Sequence, residues 1–173
     1  MSNFSKGNNN SNALKNLKIP PHSIEAEQAV LGGLMLDNNA WDLVADKLVD
    51  SDFYRQDHKM IFDTISELSR ENNPLDLITI SERLEARSKL NEVGGLAYLG
   101  EIAKNTPSAA NITAYVDIVK QRAVLRKLIS IGHEISDCGF NPNGRLPTEL
   151  LDEAERKVFA IAEEGKKTKG DGP

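Results

Sequence analysis

The sequence predicts an all-α protein: a globular head of several helices, followed by a long helix and an antiparallel helical hairpin. Apolar residues recur every three or four positions along most of the chain, which is the period of a helix with one buried face. No segment alternates apolar and polar residues convincingly, as a half-buried strand does. In the last third, two apolar seams of equal spacing flank a loop of turn-forming residues.

Composition limits the class of protein. The chain has 173 residues, enough for one domain with its own core, and 39% of them are hydrophobic. No apolar stretch approaches the roughly 20 residues of a membrane span, and the N-terminus lacks the pattern of a secretory signal. The single cysteine, Cys138, cannot form an internal disulfide. We therefore expect a cytoplasmic protein with no membrane contact.

Charge is distributed unevenly along the chain. Residues 1–18 carry a formal charge of +3 and residues 165–173 carry +2, which leaves −10 on residues 19–164 for a total of −5. Proteins bind nucleic acid through basic surfaces, because phosphate contacts supply most of the non-specific affinity. We therefore expect no tight nucleic-acid binding by this domain alone.

Both ends of the chain differ from its middle in composition. Residues 1–18 are rich in Asn and contain too little apolar surface to fold, so a disordered tail is expected there. Residues 165–173 are charged and rich in Gly, which predicts the start of a linker. Between them, residues 19–110 are expected to form the head, and residues 111–164 the long helix and the hairpin.

Capping residues and breakers divide the head into helices. Ser23 is a good N-cap, with Glu25 and Glu27 near the positive end of the helix dipole. Thr79 with Glu82 three residues later predicts a capping box. The expected helices are one that begins at Ile24 and ends before Asp37, a short one with Trp41, Val44 and Leu48, one over about residues 56–72, one over residues 80–87, and a short one after Gly94-Gly95 with Leu96, Leu99 and Ile102.

Two adjacent glycines, Gly32 and Gly33, lie inside the first predicted helix, where each costs about 1 kcal/mol relative to Ala. They indicate either a small-residue notch in the core or the close approach of another backbone. We favour the notch.

The last third of the chain predicts the hairpin. A long helix is expected from about Asn111 to Cys138, with Gly139 as its left-handed cap, and the next helix begins at Pro147. Each helix carries a seam with the spacing of a coiled-coil core. Antiparallel pairing matches Cys138 with Leu151, Ile135 with Ala154, Ile131 with Val158, and Leu128 with Ile161.

The long helix has more apolar surface than the hairpin can cover. One stripe is expected to dock on the head, and it consists of Ile112, Tyr115, Val116, Val119 and Ala123. A further stripe of Ile118, Leu125 and Ile129 faces neither the head nor the hairpin partner, and Phe159 lies off the seam of its own helix. We interpret these four residues as a self-association interface. The alternative is that the head wraps further around the long helix.

The sequence contains no catalytic or ligand-binding constellation. Residues 165–168, Gly-Lys-Lys-Thr, lack the first glycine and the preceding strand of a phosphate-binding P-loop. His22, His58 and His133 are far apart and have no partners at metal-ligand spacing, so each is expected to be an ordinary surface or packing residue. Cys138 lies on an apolar seam and is expected in the core. We predict no enzymatic activity, cofactor or metal for this chain.

Several sequence blocks together are specific to one family. They are Pro20-Pro21-His22-Ser23-Ile24-Glu25-Ala26-Glu27-Gln28, Val30-Leu31-Gly32-Gly33-Leu34-Met35-Leu36-Asp37, Asp52-Phe53-Tyr54 with His58 and Ile61-Phe62, Asp76-Leu77-Ile78-Thr79, Val93-Gly94-Gly95-Leu96-Ala97-Tyr98-Leu99, and Asn105-Thr106-Pro107-Ser108-Ala109-Ala110-Asn111-Ile112. Over about residues 19–164, the chain resembles the N-terminal domain of DnaB-type bacterial replicative DNA helicases.

The resemblance implies a non-catalytic collar domain. Members of the family are hexameric rings that unwind DNA at the replication fork, and their ATP- and Mg²⁺-dependent motor lies in a separate RecA-like domain. Their N-terminal domains associate through hairpins, from dimers up to a hexameric collar, and receive the helicase-binding domain of DnaG primase. Residues 165–173 would then begin the linker to the ATPase domain.

Two other classes of protein stay open at this point. The helices near residues 56–72 and 80–87 resemble a helix-turn-helix DNA-binding module, although Glu82 and Glu85 beside Arg83 and Arg87 are unfavourable for phosphate contact. The other class is a generic helical adaptor unrelated to replication.

Overall fold

The computed structural model describes residues 18–169, so the predicted tail over residues 1–18 lies almost entirely outside the described residues. The all-α prediction is confirmed, and no strand occurs within that range. The helices are α1 (Ile24–Leu36), α2 (Trp41–Val44), α3 (Gln56–Arg70), α4 (Leu77–Ala86), α5 (Gly95–Asn105), α6 (Ile112–Phe140) and α7 (Pro147–Lys169), with short 3₁₀ turns at Asn38–Ala40, Asp50–Asp52 and Asn91–Val93. None of the described helices is long and apolar enough to cross a membrane.

Helix α1 is the centre of the head. As predicted, Ser23 caps it, accepting a hydrogen bond from the backbone amide of Ala26 at 3.2 Å. The helix packs against α3, α5 and α6, and most of its residues are buried. The core around it is built from aliphatic and aromatic side chains of the head helices and the segments between them, among them Leu31, Leu34, Phe53, Ile61, Ile65, Leu68, Ile80, Leu84, Leu99 and Ile102.

The glycine pair in α1 forms a notch for neighbouring segments of the same chain. A Cβ atom on Gly32 would lie 2.0 Å from Oγ1 of Thr106 and 2.9 Å from the carbonyl oxygen of Ile102. A Cβ atom on Gly33 would lie 2.9 Å from Cδ1 of Ile112, at the start of α6. The notch interpretation therefore agrees with the structure, and the end of α5 and the start of α6 fill it.

The N-terminus of α4 differs from the prediction. Asp76, not Thr79, is the N-cap, and the helix begins at Leu77 rather than at residue 80. The Asp76 carboxylate accepts from the backbone amide of Thr79 at 2.8 Å and from its hydroxyl at 2.9 Å. These hydrogen bonds from Thr79 hold the pKa of the Asp76 carboxyl below its usual value. Both residues can cap a helix, and in this chain the earlier one does so. In α5, Leu96 is exposed, whereas Leu99 and Ile102 are buried.

The long helix docks on the head as predicted but ends later. Its docking stripe is buried or half-buried against the core: Ile112, Tyr115, Val116, Val119 and Ala123. The prediction of Gly139 as a left-handed cap is wrong, because α6 continues to Phe140 and the residues with positive φ in the loop that follows are Asn143 and Gly144. After this loop α7 runs antiparallel to α6 and continues to Lys169, five residues beyond the expected hairpin limit at residue 164.

We predict that Gly32→Ala destabilises the head by about 1 to 3 kcal/mol, because the added methyl group overpacks a contact formed partly by backbone. Gly100→Ala is a matched control, since a Cβ atom there meets nothing within 4 Å. The control should be neutral or more stable than the parent by up to about 1 kcal/mol, through helix propensity. Urea unfolding followed by circular dichroism measures both. Equal stabilities of the two variants would show that the notch does not need glycine.

Candidate protein-interaction site

Arg126 connects the long helix to the head through two hydrogen bonds to backbone carbonyl oxygens. Its guanidinium donates from Nη1 to the carbonyl oxygen of Pro21 at 2.7 Å and from Nη2 to the carbonyl oxygen of Asp52 at 2.6 Å. It also lies over the ring of Tyr54, 5.6 Å from the centroid, and His22 stacks on Tyr54 with ring centroids 4.1 Å apart. Burial lowers the pKa of the Arg126 guanidinium. One residue near the middle of α6 thereby holds two separate segments of the head.

Ion pairs tie α6 to the head and to α7. Nζ of Lys120 lies 3.3 Å from Oδ2 of Asp52, whose side chain is fully buried. Lys120 also lies 3.8 Å from Oε1 of Glu164 on α7, and Lys127 lies 2.6 Å from the same oxygen. A buried carboxylate depends on its partner, because an unpaired charge in the interior is costly. The basic residues of α6 therefore fix the direction in which the hairpin leaves the head.

A hydrogen-bonded chain of Glu27, His58 and Tyr98 joins α1, α3 and α5. Glu27 and His58 are 1% and 0% exposed. Nδ1 of His58 lies 2.7 Å from Oε1 of Glu27, and Nε2 of His58 lies 2.7 Å from the hydroxyl of Tyr98. The Glu27 carboxylate also accepts from the backbone amide of Tyr54 at 2.8 Å, in the segment that leads into α3. Glu27 lies in the first turn of its own helix, as predicted, and its carboxylate also accepts hydrogen bonds from the start of α3 and the segment before it.

The donors and acceptors around His58 favour one arrangement of the protons on His58 and Tyr98. The Tyr98 hydroxyl accepts from Nε2 of Gln28 at 3.0 Å, so its own proton can be donated to Nε2 of His58. Nδ1 of His58 then carries the ring proton and donates it to Glu27. Burial raises the pKa of the Tyr98 hydroxyl, which keeps it a donor. Within residues 18–165, no buried side-chain nitrogen or oxygen lacks a hydrogen-bond partner.

The predicted seam residues lie along the two helices of the hairpin. Ile135, Cys138, Leu151 and Ala154 line one cleft of about 290 Å³ between α6 and α7. Among all eight, Ile161 is buried, Ile131, Cys138 and Ala154 are half-buried, and Leu128, Ile135, Leu151 and Val158 are exposed. The expected core position of Cys138 is wrong, because it is half-buried and Nη2 of Arg145 lies 3.6 Å from its Sγ. Two helices alone therefore leave much of the seam uncovered.

The predicted self-association residues divide into two groups. Ile118 is half-buried and packs against the head core, so its place in an exposed stripe is wrong. Leu125, Ile129 and Phe159 are 43%, 47% and 63% exposed. Ile129 also lines a cleft of about 830 Å³ between the hairpin base and the segment that contains Ile19. Apolar surface on both hairpin helices is thus accessible to a partner.

A family model described as the DnaB-like helicase N terminal domain matches residues 19–121. The chain belongs to this family. The replicative DNA helicase DnaB of Haemophilus influenzae is 50% identical over 157 residues, which is 91% of this chain and 33% of that protein. The DnaB of Geobacillus stearothermophilus is 40% identical over 146 residues, 84% of this chain and 32% of that protein. The DnaB-like chain thus spans about a third of the length of these relatives.

Solved structures agree with the family assignment. The N-terminal domain of DnaB helicase from Mycobacterium tuberculosis superposes with a TM-score of 0.79 at 34% identity, over 82% of this chain and 99% of that one. The corresponding domain from Helicobacter pylori, solved in a study of its interactions with primase, gives a TM-score of 0.56 at 28% identity, over 68% of this chain and 91% of that one. The head and hairpin of this DnaB-like domain are therefore the architecture of the family.

The structure does not favour the helix-turn-helix alternative. Arg83 pairs with Glu67 at 2.8 Å and with Glu71 at 2.6 Å, and Arg87 also pairs with Glu67. The hydrogen bond from Arg87 is the main reason that the pKa of the Glu67 carboxyl is lowered. The arginines that would meet phosphates are thus engaged by carboxylates at the C-terminal end of α3, Glu67 and its C-cap Glu71. Over the described part of the DnaB-like domain, no group of three or more His, Cys, Asp or Glu residues could hold a metal ion.

Neither the buried hydrogen bonds of Glu27 nor those of Arg126 in the DnaB-like head were predicted from the sequence. A local signal existed for one of them. Glu27 lies three residues after Ile24 and four before Leu31, and His58 lies three before Ile61, so both stand on the inward faces of their helices. A charged residue at such a position indicates a buried partner. No comparable signal identifies Arg126, because its acceptors are backbone carbonyls 105 and 74 residues away.

We predict that Glu27→Gln lowers the free energy of unfolding by about 2 to 4 kcal/mol, because the amide turns an NH₂ group toward the donors of His58 or Tyr54 and leaves one unpaired. Glu25→Gln is the matched control, because Glu25 is exposed on the same helix. Its effect should stay within about 0.5 kcal/mol. Chemical denaturation at neutral pH measures both. If Glu27→Gln lowers the free energy of unfolding no more than the control does, the hydrogen bonds among Glu27, His58 and Tyr98 contribute nothing to stability.

Proposed function

We propose that this chain is the collar and oligomerisation domain of a hexameric replicative DNA helicase, and a docking site for the helicase-binding domain of DnaG primase. The match of residues 19–121 to the DnaB-like N-terminal domain supports the proposal most directly. The second support is the hairpin, which carries accessible apolar side chains on both helices. Such surface on a small acidic domain is typical of a protein interaction site.

The motor activity is assigned to other parts of the helicase. The sequence holds no P-loop pattern, so we place ATP and Mg²⁺ binding outside residues 1–173. Residues 19–164 carry a formal charge of −10, so we also place the main DNA contacts elsewhere. Residues 165–173 would lead toward the ATPase domain, and the whole protein would act in the cytoplasm on replicating DNA.

Self-association is proposed to use the uncovered sides of the hairpin. Leu125 and Ile129 are four residues apart on α6 and therefore lie on one face of the helix. On α7, Phe159 lies in a shallow groove together with Leu151 and Val158. Burying these side chains against a second copy removes apolar surface from water, which stabilises the assembly at about 25 cal/mol per Å².

We predict that Leu125→Asp leaves the monomer folded and breaks self-association. The charge is tolerated where the position faces water and is costly where a second copy buries it. Gln121→Asp introduces the same charge at an exposed position one turn away on α6 and serves as control. Sedimentation velocity gives the oligomeric state, and circular dichroism melting gives the stability. If Leu125→Asp unfolds under conditions in which the parent is a folded monomer, the position belongs to the core.

We predict that the helicase-binding domain of the cognate DnaG primase forms a complex with this chain. The support is the family assignment, together with solved DnaB structures that were studied with their primase interactions. Isothermal titration calorimetry and size-exclusion co-elution measure the complex, and circular dichroism verifies that both partners are folded. Absence of heat and of co-elution with two well-folded partners would contradict the docking role.

A further inference from the structure

We propose that Asn143, at the tip of the hairpin, is a site of spontaneous deamidation that converts it to aspartate and isoaspartate. The modification needs no enzyme, metal or cofactor. It arises from the residue that follows Asn143 and from the open geometry of the loop between α6 and α7.

Asn143 is followed by Gly144, and this is the one asparagine in the sequence that precedes a glycine. All other asparagines precede a residue with a side chain. Deamidation requires the next backbone nitrogen to approach the side-chain carbonyl carbon, and a Cβ atom on the next residue hinders that approach. Glycine removes the hindrance. Asn141, two residues earlier, precedes a proline, whose nitrogen carries no proton and cannot react in this way.

The fold leaves both reacting groups accessible. Asn143 and Gly144 are exposed, and a Cβ atom placed on Gly144 would meet nothing within 4 Å. Within residues 18–165, neither the amide nitrogen of Gly144 nor the side chain of Asn143 takes part in a hydrogen bond. The nearest backbone hydrogen bond of the turn runs from the amide of Arg145 to the carbonyl oxygen of Pro142 at 3.1 Å, and it spans the two residues without using them.

The chemistry balances with water as the only other reactant. The Gly144 nitrogen loses its proton to solvent and bonds to Cγ of Asn143. The bond from Cγ to Nδ2 breaks, and ammonia leaves with a proton. Water then opens the resulting succinimide ring. Opening at the Cγ carbonyl gives aspartate, whereas opening at the main-chain carbonyl gives isoaspartate, in which the main chain passes through Cβ and Cγ.

The modification alters the turn that closes the hairpin. Both products place a new carboxylate two residues from Arg145, which otherwise pairs with Glu153 at 2.9 Å. Isoaspartate also lengthens the main chain by one atom within the segment that the hydrogen bond from Arg145 to Pro142 spans. Asn143 and Gly144 have φ values of 52° and 81°, and the longer backbone cannot keep both together with that hydrogen bond. The tip of the hairpin therefore loosens as the protein ages.

The test is to incubate the full chain, folded, at mildly alkaline pH and to follow isoaspartate by peptide mapping and by labelling with protein isoaspartate methyltransferase. We expect accumulation at Asn143 more than about tenfold faster than at Asn141 or at any other asparagine of the head and hairpin, because only Asn143 lacks a hindering neighbour. Asn143→Gln should abolish the hairpin signal, since a glutamine would need a six-membered ring. Hydrogen exchange at the Arg145 amide should accelerate in the aged parent and not in this variant.

The same incubation in urea shows whether the fold permits the reaction. Isoaspartate at Asn143 in both folded and unfolded protein supports the proposal. Isoaspartate in the unfolded chain alone overturns it, because the turn would then protect the site. Aspartate without isoaspartate overturns the succinimide route. Unchanged exchange at Arg145 in modified protein contradicts the loosening of the tip.

Discussion

The position of the hairpin relative to the head depends on the hydrogen bonds that the Arg126 guanidinium donates. It bonds two carbonyl oxygens, of Pro21 and Asp52, that belong to segments 105 and 74 residues away in sequence. A planar guanidinium can satisfy two acceptors in fixed directions, which a lysine cannot do. Because α6 begins in the head and ends in the hairpin, fixing its middle fixes the direction of the hairpin. Lys120 and Lys127 form ion pairs with Glu164 and thereby connect α6 to α7 as well.

This anchoring explains why apolar surface stays accessible. The first half of α6 is buried by the head, and Ile118 joins that contact. Among the described residues, the part of α6 beyond Arg126 packs mainly on α7 and borders the segment around Ile19. Two helices cannot enclose a seam, so Leu128 and Val158 remain exposed. The hydrogen bonds among Glu27, His58 and Tyr98 join α1, α3 and α5 beside Tyr54, over which Arg126 lies. The domain thus combines a folded head with a hairpin whose apolar side chains remain accessible.

The features predicted correctly from the sequence are those with local causes. Spacing along α6 and α7 predicts a hairpin because helical faces follow from the backbone period. Ser23 predicts the start of α1 because its side-chain oxygen can accept a hydrogen bond from a free backbone amide of the first turn. Where two local signals compete, the sequence does not decide, as with Asp76 and Thr79, or with Gly139 and the later turn at Gly144. The contacts that set the orientation of the hairpin join residues far apart in the chain, so no periodicity reveals them.

A distance measurement between head and hairpin tests the anchoring most directly. Spin labels at Glu85→Cys and Asp152→Cys, both exposed, would be introduced in a Cys138→Ala background and diluted with unlabelled chain. Pulsed electron paramagnetic resonance should show one narrow distance distribution, which broadens strongly in Arg126→Ala while circular dichroism shows the helices intact. Arg122→Ala, which alters a neighbouring cation of the same helix, should leave the distribution narrow. An unchanged distribution in Arg126→Ala would show that other contacts orient the hairpin and would contradict the anchoring role of Arg126.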